Sequence, residues 1–357
     1  MKSFGLWYQK NDGENIEKPL FSLHVNFWSE SIKTKRNKKR SPYLDIGIKV
    51  SNYRNIKNVT FQCPFIISQS QLADLSDKLS KKSNANLIFN KDAEMATKDN
   101  YSLVKLEGDN TDQGEVLLIF PLEQSIGEVY EIQNVGERTN IVFDFSDFVK
   151  YIDSKDALKK LKTLYIRFRI KANTLMNAIY FDSEPLNKSF DSAFSGTRII
   201  DFKINEKRNL DESSVTKMEM NGQNWAEMDK IHLLIMEPSA YDVESFSTYQ
   251  MTCRELEGKL WDDYLGEEID LTKGHILAYH WKAAIVFSCL IKVRYSRAKI
   301  STISAYILIA ISIGILGSLA VSFTQEFLYN KGFCFAFVDA IFAGALFLLG
   351  LLVGRIK

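Results

Sequence analysis

The sequence predicts a mainly β (α+β) protein: an antiparallel β-sandwich-like domain followed by a C-terminal two-helix transmembrane hairpin. Two observations carry this. Residues 303–323 and 333–353 are almost wholly apolar. Each would make a helix of roughly 31 Å at about 1.5 Å per residue, close to the roughly 30 Å hydrocarbon core of a bilayer. Ahead of them, apolar and polar residues alternate over many short stretches, the period of half-buried strands.

The strands follow in order. Phe21, Leu23, Val25 and Phe27 alternate with Ser22, His24, Asn26 and Trp28. Leu44, Ile46, Ile48 and Val50 alternate with Asp45, Gly47 and Lys49, and Val59, Phe61 and Cys63 continue the pattern. Residues 116–120 are a short apolar run, suited to a buried strand. Leu164, Ile166, Phe168 and Ile170 face away from Tyr165, Arg167, Arg169 and Lys171; residues 200–204 and 231–235 repeat the alternation. No regular strand–helix succession appears, which argues against a doubly wound parallel sheet.

Helices are sparse before residue 300. Ser68 to Gln71 reads as a capping box ahead of Leu72, Leu75 and Leu79. Asp153 or Ser154 could cap a helix through Leu161. Residues 249–265 place Cys253, Leu256, Leu260 and Tyr264 on one stripe and read as a helical connector. Residues 276–291 are apolar but short for a crossing and carry Lys282; they read as a helix at the membrane surface or packed under the body. The polar stretches 81–100 and 205–224 read as loops. These readings divide the chain into a β-rich sensing or binding domain (1–245), a helical connector and juxtamembrane segment (246–300) and the hairpin (301–357).

A formal net charge of +1 argues against a dedicated nucleic-acid binder. Cys63, Cys253, Cys289 and Cys334 show no close spacing, which points to a reducing compartment. Residues 1–14 lack the apolar core of a signal peptide. Lys292, Arg294, Arg297 and Lys299 precede the first span, and Arg355 and Lys357 follow the second. The positive-inside rule then places both termini in the cytoplasm.

Chemistry-bearing motifs are scarce. There is no phosphate-binding loop, dinucleotide fingerprint, nucleophile elbow or paired-cysteine metal motif, so the sequence predicts neither an enzyme nor a cofactor. His24 and His232 fall on the polar faces of two strands, where they could meet across a sheet. The carboxylates Asp262, Asp263, Glu267, Glu268 and Asp270 lack cation-site spacing and read as a solvated face or as partners of the basic residues 292–299. Lys33, Lys35, Arg36, Lys38, Lys39 and Arg40 form a basic run between two strands, either a solvated hairpin tip or a contact with nucleic acid or anionic lipid.

In the hairpin, Ala310, Gly314, Ser318 and Ser322 recur every fourth residue with Gly317 alongside; Ala336, Ala340, Ala343, Gly350 and Gly354 share one face of the second span. Small residues let helices approach closely in lipid, within one chain or between copies, which makes a homo-oligomer the expected state. Asp339, about two turns into the second span, either reaches the outer interface or lines a polar seam between chains.

The layout of residues 303–323 and 333–353 behind a β-rich body resembles the two-transmembrane effector proteins of bacterial anti-phage defence systems, of the retron-associated type. The resemblance implies a toxic effector of the bacterial inner membrane. Its cytoplasmic domain would sense, or be restrained by, a protein or nucleoprotein partner, and its hairpin would oligomerise or rearrange to perturb the lipid bilayer. It implies no particular binding residues. A non-toxic membrane-anchored scaffold is the other reading of the same layout.

Overall fold

The computed structural model describes residues 2–11, 17–35, 41–98, 101–108, 114–122, 129–171, 178–183, 195–296, 300–329, 341 and 343–350. The chain is mainly β. Its first elements are β1 (Gly5–Lys10), β2 (Phe21–Trp28), β3 (Tyr43–Ser51), β4 (Ile56–Cys63) and β5 (Leu72–Asp74). The helices α1 (Ser76–Leu79) and α2 (Lys82–Phe89) come next, then β6 (Ala93–Lys98), β7 (Tyr101–Leu106), β8 (Glu115–Phe120), β9 (Tyr130–Val135) and β10 (Arg138–Asp144). After α3 (Ser146–Asp153) the chain forms β11 (Thr163–Lys171), β12 (Tyr180–Ser183), β13 (Ser195–Ile204), α4 (Glu212–Met220), β14 (Asn224–Trp225), β15 (Met228–Pro238), β16 (Asp242–Ser245) and β17 (Met251–Glu255). α5 (Gly258–Leu265), β18 (Ile276–Ala283), β19 (Phe287–Ser296) and α6 (Ile300–Tyr329) follow.

Among the described residues the strands form three sheets. A five-stranded sheet has the order β14-β1-β4-β10-β9. A ten-stranded sheet runs β17-β18-β15-β2-β3-β11-β8-β7-β6, with β5 also paired to β11. A third sheet has the order β12-β13-β19-β16. The large sheet is mixed, not purely antiparallel as the alternation suggested: β2 and β15 run parallel, as do β8 and β11. Those partners are far apart in sequence, and alternation fixes which face a residue takes, not strand direction.

The chain divides into two compact units. Unit 1 comprises 1–181, 200–239 and 244–291; unit 2 comprises 182–199, 240–243 and 292–357. In unit 1 the apolar face of the large sheet (Leu23, Val25, Ile46, Ile48, Ile166, Phe168) is fully buried. The five-stranded sheet meets it there. Phe168 of β11 lies 5.7 Å from Phe61 and 5.5 Å from Phe143 between ring centroids, and Tyr8 lies 5.4 Å from Phe21. Packing two apolar faces is the sandwich solution for half-apolar strands.

The other face of the large sheet is polar, and two helical clusters cover parts of it. Trp261, Tyr264 and Leu265 of α5 pack with Trp28, Tyr43, Met236 and Ala278. Ala85 of α2 packs with Val104, Leu106, Leu117, Ile119 and Tyr165. Asp263 joins the two covers, accepting from Lys81 Nζ at 2.7 Å and Asn84 Nδ2 at 2.9 Å.

In unit 2, α6 contains one stretch, Ile303–Ser322, long and apolar enough to cross a bilayer. Ala305 and Ser312 are its buried positions, and Ser312 Oγ donates to Leu308 O at 2.9 Å, satisfying its hydroxyl within the helix. Residues 341 and 343–350 are helical, with Ala343 buried. The remainder of the expected second span, 333–340, 342 and 351–353, lies outside the described residues.

Several local expectations are corrected. Residues 276–291 are not a helix but β18 and the start of β19. β18 pairs with both β15 and β17, and burial alternates along the start of β19 (Phe287, Cys289 and Ile291 in, Ser288 and Leu290 out). The turn between them carries no glycine or proline; Ile285 takes the left-handed position at φ 71°, a conformation a β-branched residue rarely adopts. Residues 249–265 are a strand, β17, before the helix α5. Asp153 ends α3 instead of capping a later helix. The stretches 81–100 and 205–224 contain α2, β6 and α4. Asp211 caps α4 by accepting from Ser214 N. Gln71 does return its side chain to Ser68 N at 2.8 Å, but the box opens a single 3-10 turn leading into β5.

Candidate ligand cavity

Strand register assembles a site on the polar face of unit 1. One cross-strand row runs Lys230 (β15), Ser22 (β2), Lys49 (β3), Tyr165 (β11). The next runs Lys282 (β18), His232 (β15), His24 (β2), Gly47 (β3), Arg167 (β11). The third runs His280, Leu234, Asn26, Asp45, Arg169 on the same strands. Rows two residues apart share a face, so alternation places all these side chains together. Between the α2 and α5 covers they leave a cavity of about 880 Å³, within the range of small-molecule sites.

Three imidazoles form its floor. His24 and His232 lie 5.2 Å apart, edge to face. His232 and His280 are stacked at the same centroid separation, with His232 Nδ1 3.0 Å from His280 Nε2. Tyr165 Oη accepts from Arg167 Nη1 at 3.0 Å, and among the described residues His24 Nδ1, 3.1 Å away, is the one acceptor in reach of its proton. His24 is therefore the neutral tautomer protonated at Nε2. Burial, then neighbouring His232, holds His24 well below the usual imidazole range. Burial, then His280, pushes His232 down to about 4; burial, then Lys282, lowers His280. At neutral pH the floor offers N–H donors without charge.

Beside it, on the same face and under α5, lies a buried ion cluster. Asp45, wholly buried, accepts from Arg169 Nε at 2.6 Å and Nη2 at 2.9 Å, from Tyr264 Oη at 2.9 Å and from Trp28 Nε1 at 3.0 Å. Burial works against its charge, and Arg169 more than offsets that, leaving its carboxyl below the usual range. Arg167, also wholly buried, donates to the phenol oxygens of Tyr264 (2.9 Å) and Tyr165 (3.0 Å). With the Asn26 amide turned to suit its neighbours, Arg167 Nη2 donates to the amide oxygen at 3.0 Å. Burial opposes the Arg167 charge, but Tyr165, Tyr264 and Asp45 outweigh it and keep it cationic. Arg169 thus pairs with Asp45 directly, and Arg167 reaches it only through Tyr264. Gly47 makes room for this: a Cβ there would overlap Tyr165 Oη and stand 2.8 Å from Arg167 Nη1.

Lysines ring the mouth. Lys49 pairs with Glu115 at 2.9 Å, Lys230 approaches Asp229 at 3.7 Å, and Lys282 has no ion pair or hydrogen bond among the described residues. The arrangement suits an anion. Among the described residues no group of three or more His, Cys, Asp and Glu side chains could hold a metal ion.

Acid is expected to weaken this unit. Unfolded histidine titrates near pH 6.5, above the depressed folded values, so below about 6.5 the unfolded chain binds more protons. The histidine contribution is complete above that pH and is lost as pH falls toward about 4. Charging His24 would set it against His232 on β15, Lys49 on β3, Arg167 on β11 and His280 on β18. The slope is at most about 1.4 kcal/mol per pH unit per histidine, less for the half-exposed pair. Urea midpoints at pH near 7.5 and near 5 check it. The fall should shrink in His232→Gln, and an equal fall in that variant would remove the histidines as its cause.

The residues singled out in the sequence are placed as follows. Gly314, Gly317 and Ser318 lie on the exposed side of α6, with nothing within 4 Å of a Cβ built at either glycine. Gly350 packs against α6 instead: a Cβ there would meet Ile309 Cγ1 at 3.1 Å, Ala305 O at 3.2 Å and Leu308 Cβ at 3.3 Å. Asp339 and Ala340 lie outside the described residues. Lys33 and Lys35 flank a bridge between Thr34 and Ile269, and Lys35 pairs with Glu268 at 2.6 Å. Arg36, Lys38, Lys39 and Arg40 lie outside the described residues. The acidic cluster finds partners in Lys35, Lys81 and Tyr43. Cys63, Cys253 and Cys289 are free thiols.

Alternation put His24 and His232 on polar faces, and they do meet. His280, Lys49, Lys282 and the Asp45–Arg169 pair escaped sequence reasoning, because only register brings them together. The polar partners of β11, two arginines and a tyrosine between apolar residues, were the available signal. No protein-family model and no curated protein matches this chain.

Proposed function

We propose that the chain is a ligand-responsive membrane effector: unit 1 takes up a small anion in its cavity, and the C-terminal helical region acts on a lipid bilayer. The supporting observation is the coexistence, in one chain, of a cation-rimmed cavity of about 880 Å³ and a helix whose large apolar side chains remain uncovered. Ile307, Ile311, Ile313, Leu316 and Val321 are all exposed on α6. In water each would forgo about 25 cal/mol per Å² of apolar burial, so lipid or a further protein surface is their natural environment. A response requires the ligand to favour one of two states of the chain. Assembly of several copies through the uncovered Gly314–Ser318 side of α6 belongs to this reading, since small residues permit close helix approach in lipid.

The test is induced expression of the full chain and of a chain lacking 301–357, read by a membrane-potential dye and by growth. The full chain is expected to depolarise the membrane and arrest growth, and the truncated one to do neither. Replacing 301–357 with an unrelated two-span anchor separates effector from scaffold. An effector loses its action in that chimera; a scaffold keeps it.

A further inference from the structure

We propose that the cavity of unit 1 is a binding site for a phosphate-bearing small molecule, held by Lys49, Lys230 and Lys282 around the Nε2–H of His24. The inference deepens the ligand-responsive reading above and rests on it for its biological sense, though not for its chemistry.

Three features of the site select this ligand class. The first is charge. Lys49, Lys91, Lys230, Arg254 and Lys282 line the cavity against Glu107 and Glu115, and beside the floor Asp45 is bonded directly by Arg169 and, through Tyr264, by Arg167. Asp229 and Glu257 pair with Lys230 and Arg254, so the positive surplus is small and rests on Lys282 and on the buried arginines beside the floor, where salt screens poorly.

The second is the kind of cation. A planar carboxylate is best met by one guanidinium fork. Here Lys230 and Lys49 lie two strands apart in one row, roughly 10 Å at about 4.8 Å per strand, and Lys282 stands in the next row. Ammonium groups spread over such a span fit an anion that distributes several oxygens over a comparable length, as a di- or triphosphate does.

The third is the donor that the floor presents. The chain of bonds from Arg167 through Tyr165 occupies His24 Nδ1, so His24 can only donate from Nε2. A neutral N–H beside fixed cations donates to a phosphate oxygen without adding another like charge among the lysines. Tyr165 is a positioning residue in this scheme, acting on the ligand through the His24 tautomer.

The experiment uses the full chain in non-ionic detergent micelles at neutral pH, titrated calorimetrically with inorganic tripolyphosphate, with acetate as the carboxylate comparison. Saturable binding of tripolyphosphate at one site per chain, with acetate silent, is expected. A charge-assisted hydrogen bond is worth about 1.5–3 kcal/mol, so Lys282→Gln and Lys230→Gln should each weaken binding roughly tenfold or more. Both lysines are exposed, and unchanged circular dichroism would confirm that the variants fold. Lys150→Gln, an exposed lysine paired with Asp147 on α3, should leave affinity unchanged. Tyr165→Phe should weaken tripolyphosphate binding and alter its pH dependence, because His24 is freed to change tautomer.

Micelles doped with phosphatidic acid distinguish the source of the phosphate. Competition with tripolyphosphate assigns a lipid headgroup; its absence assigns a free phosphate compound. Absence of saturable binding by either, or equal affinity in wild type and the Lys230/Lys282 variants, overturns the inference. Depolarisation on expression without phosphate binding would overturn this proposal alone. Phosphate binding without depolarisation would overturn the effector reading and leave the site standing.

Discussion

Asp45→Ala is expected to destabilise unit 1 by about 3–5 kcal/mol, the range for removing one partner of a buried ion pair. Asp45 accepts four hydrogen bonds, from Arg169 (two), Tyr264 and Trp28, and is the only carboxylate those bonds reach. Without it Arg169 and Arg167, both essentially without solvent contact, would be two like charges in a low-dielectric interior. A guanidinium cannot escape by losing its proton. The chain must open to water instead. A typical domain holds only about 5–15 kcal/mol in total, so the variant should be poorly soluble or unfold at much lower urea. Asp45→Asn keeps the shape and one acceptor oxygen and should lose less. Trp28 and Trp261 lie 5.3 Å apart beside this cluster, so tryptophan fluorescence during urea unfolding reports on it directly. A loss below about 1 kcal/mol would mean that water reaches the two arginines.

What the sequence made legible follows from what alternation encodes. Period-two patterning assigns each side chain to a face, and it placed Tyr165, Arg167 and Arg169 opposite Leu164, Ile166 and Phe168 correctly. It carries no information about partners. That Asp45 stands opposite Arg169, and His24 opposite both His232 and Gly47, is set by strand register across segments up to about two hundred residues apart. The sharpest misreading, residues 276–291 as a helix, has a local cause. Strand ends are recognised by Gly, Asn, Asp or Pro at the turn, and the turn between β18 and β19, which belong to different sheets, instead places Ile285 in the left-handed region. With the turn signal missing, two strands read as one apolar run. The short helix α2 was lost for the opposite reason. Its N-cap, Lys81, makes no side-chain capping bond, and its polar residues include Asn84, whose side chain is spent on Lys78 O and Asp263.

Gly47→Val is expected to cost about 3 kcal/mol, the upper part of the usual overpacking range, and to abolish ligand uptake by the cavity. Gly47 lies in β3 between His24 and Arg167. A Cβ at this position falls on the Tyr165 hydroxyl, 2.7 Å from its Cζ and 2.8 Å from Arg167 Nη1. Neither neighbour can give way cheaply. Tyr165 is fully buried, with its ring 5.0 Å from Phe89 and 5.6 Å from His24; Arg167 is fixed at both ends by phenol oxygens. Moving Tyr165 breaks the bond that sets the His24 tautomer and leaves part of Arg167 unpaired. Steric origin can be separated from a general intolerance of β3 to substitution by a double-mutant cycle. Tyr165→Leu removes the colliding ring, so it should be markedly less harmful in the Gly47→Ala background than in the wild type, with a coupling of about 1 kcal/mol or more. Strict additivity would show that the two side chains do not compete for that space, and the row of residues on which the cavity floor is built would have to be redrawn.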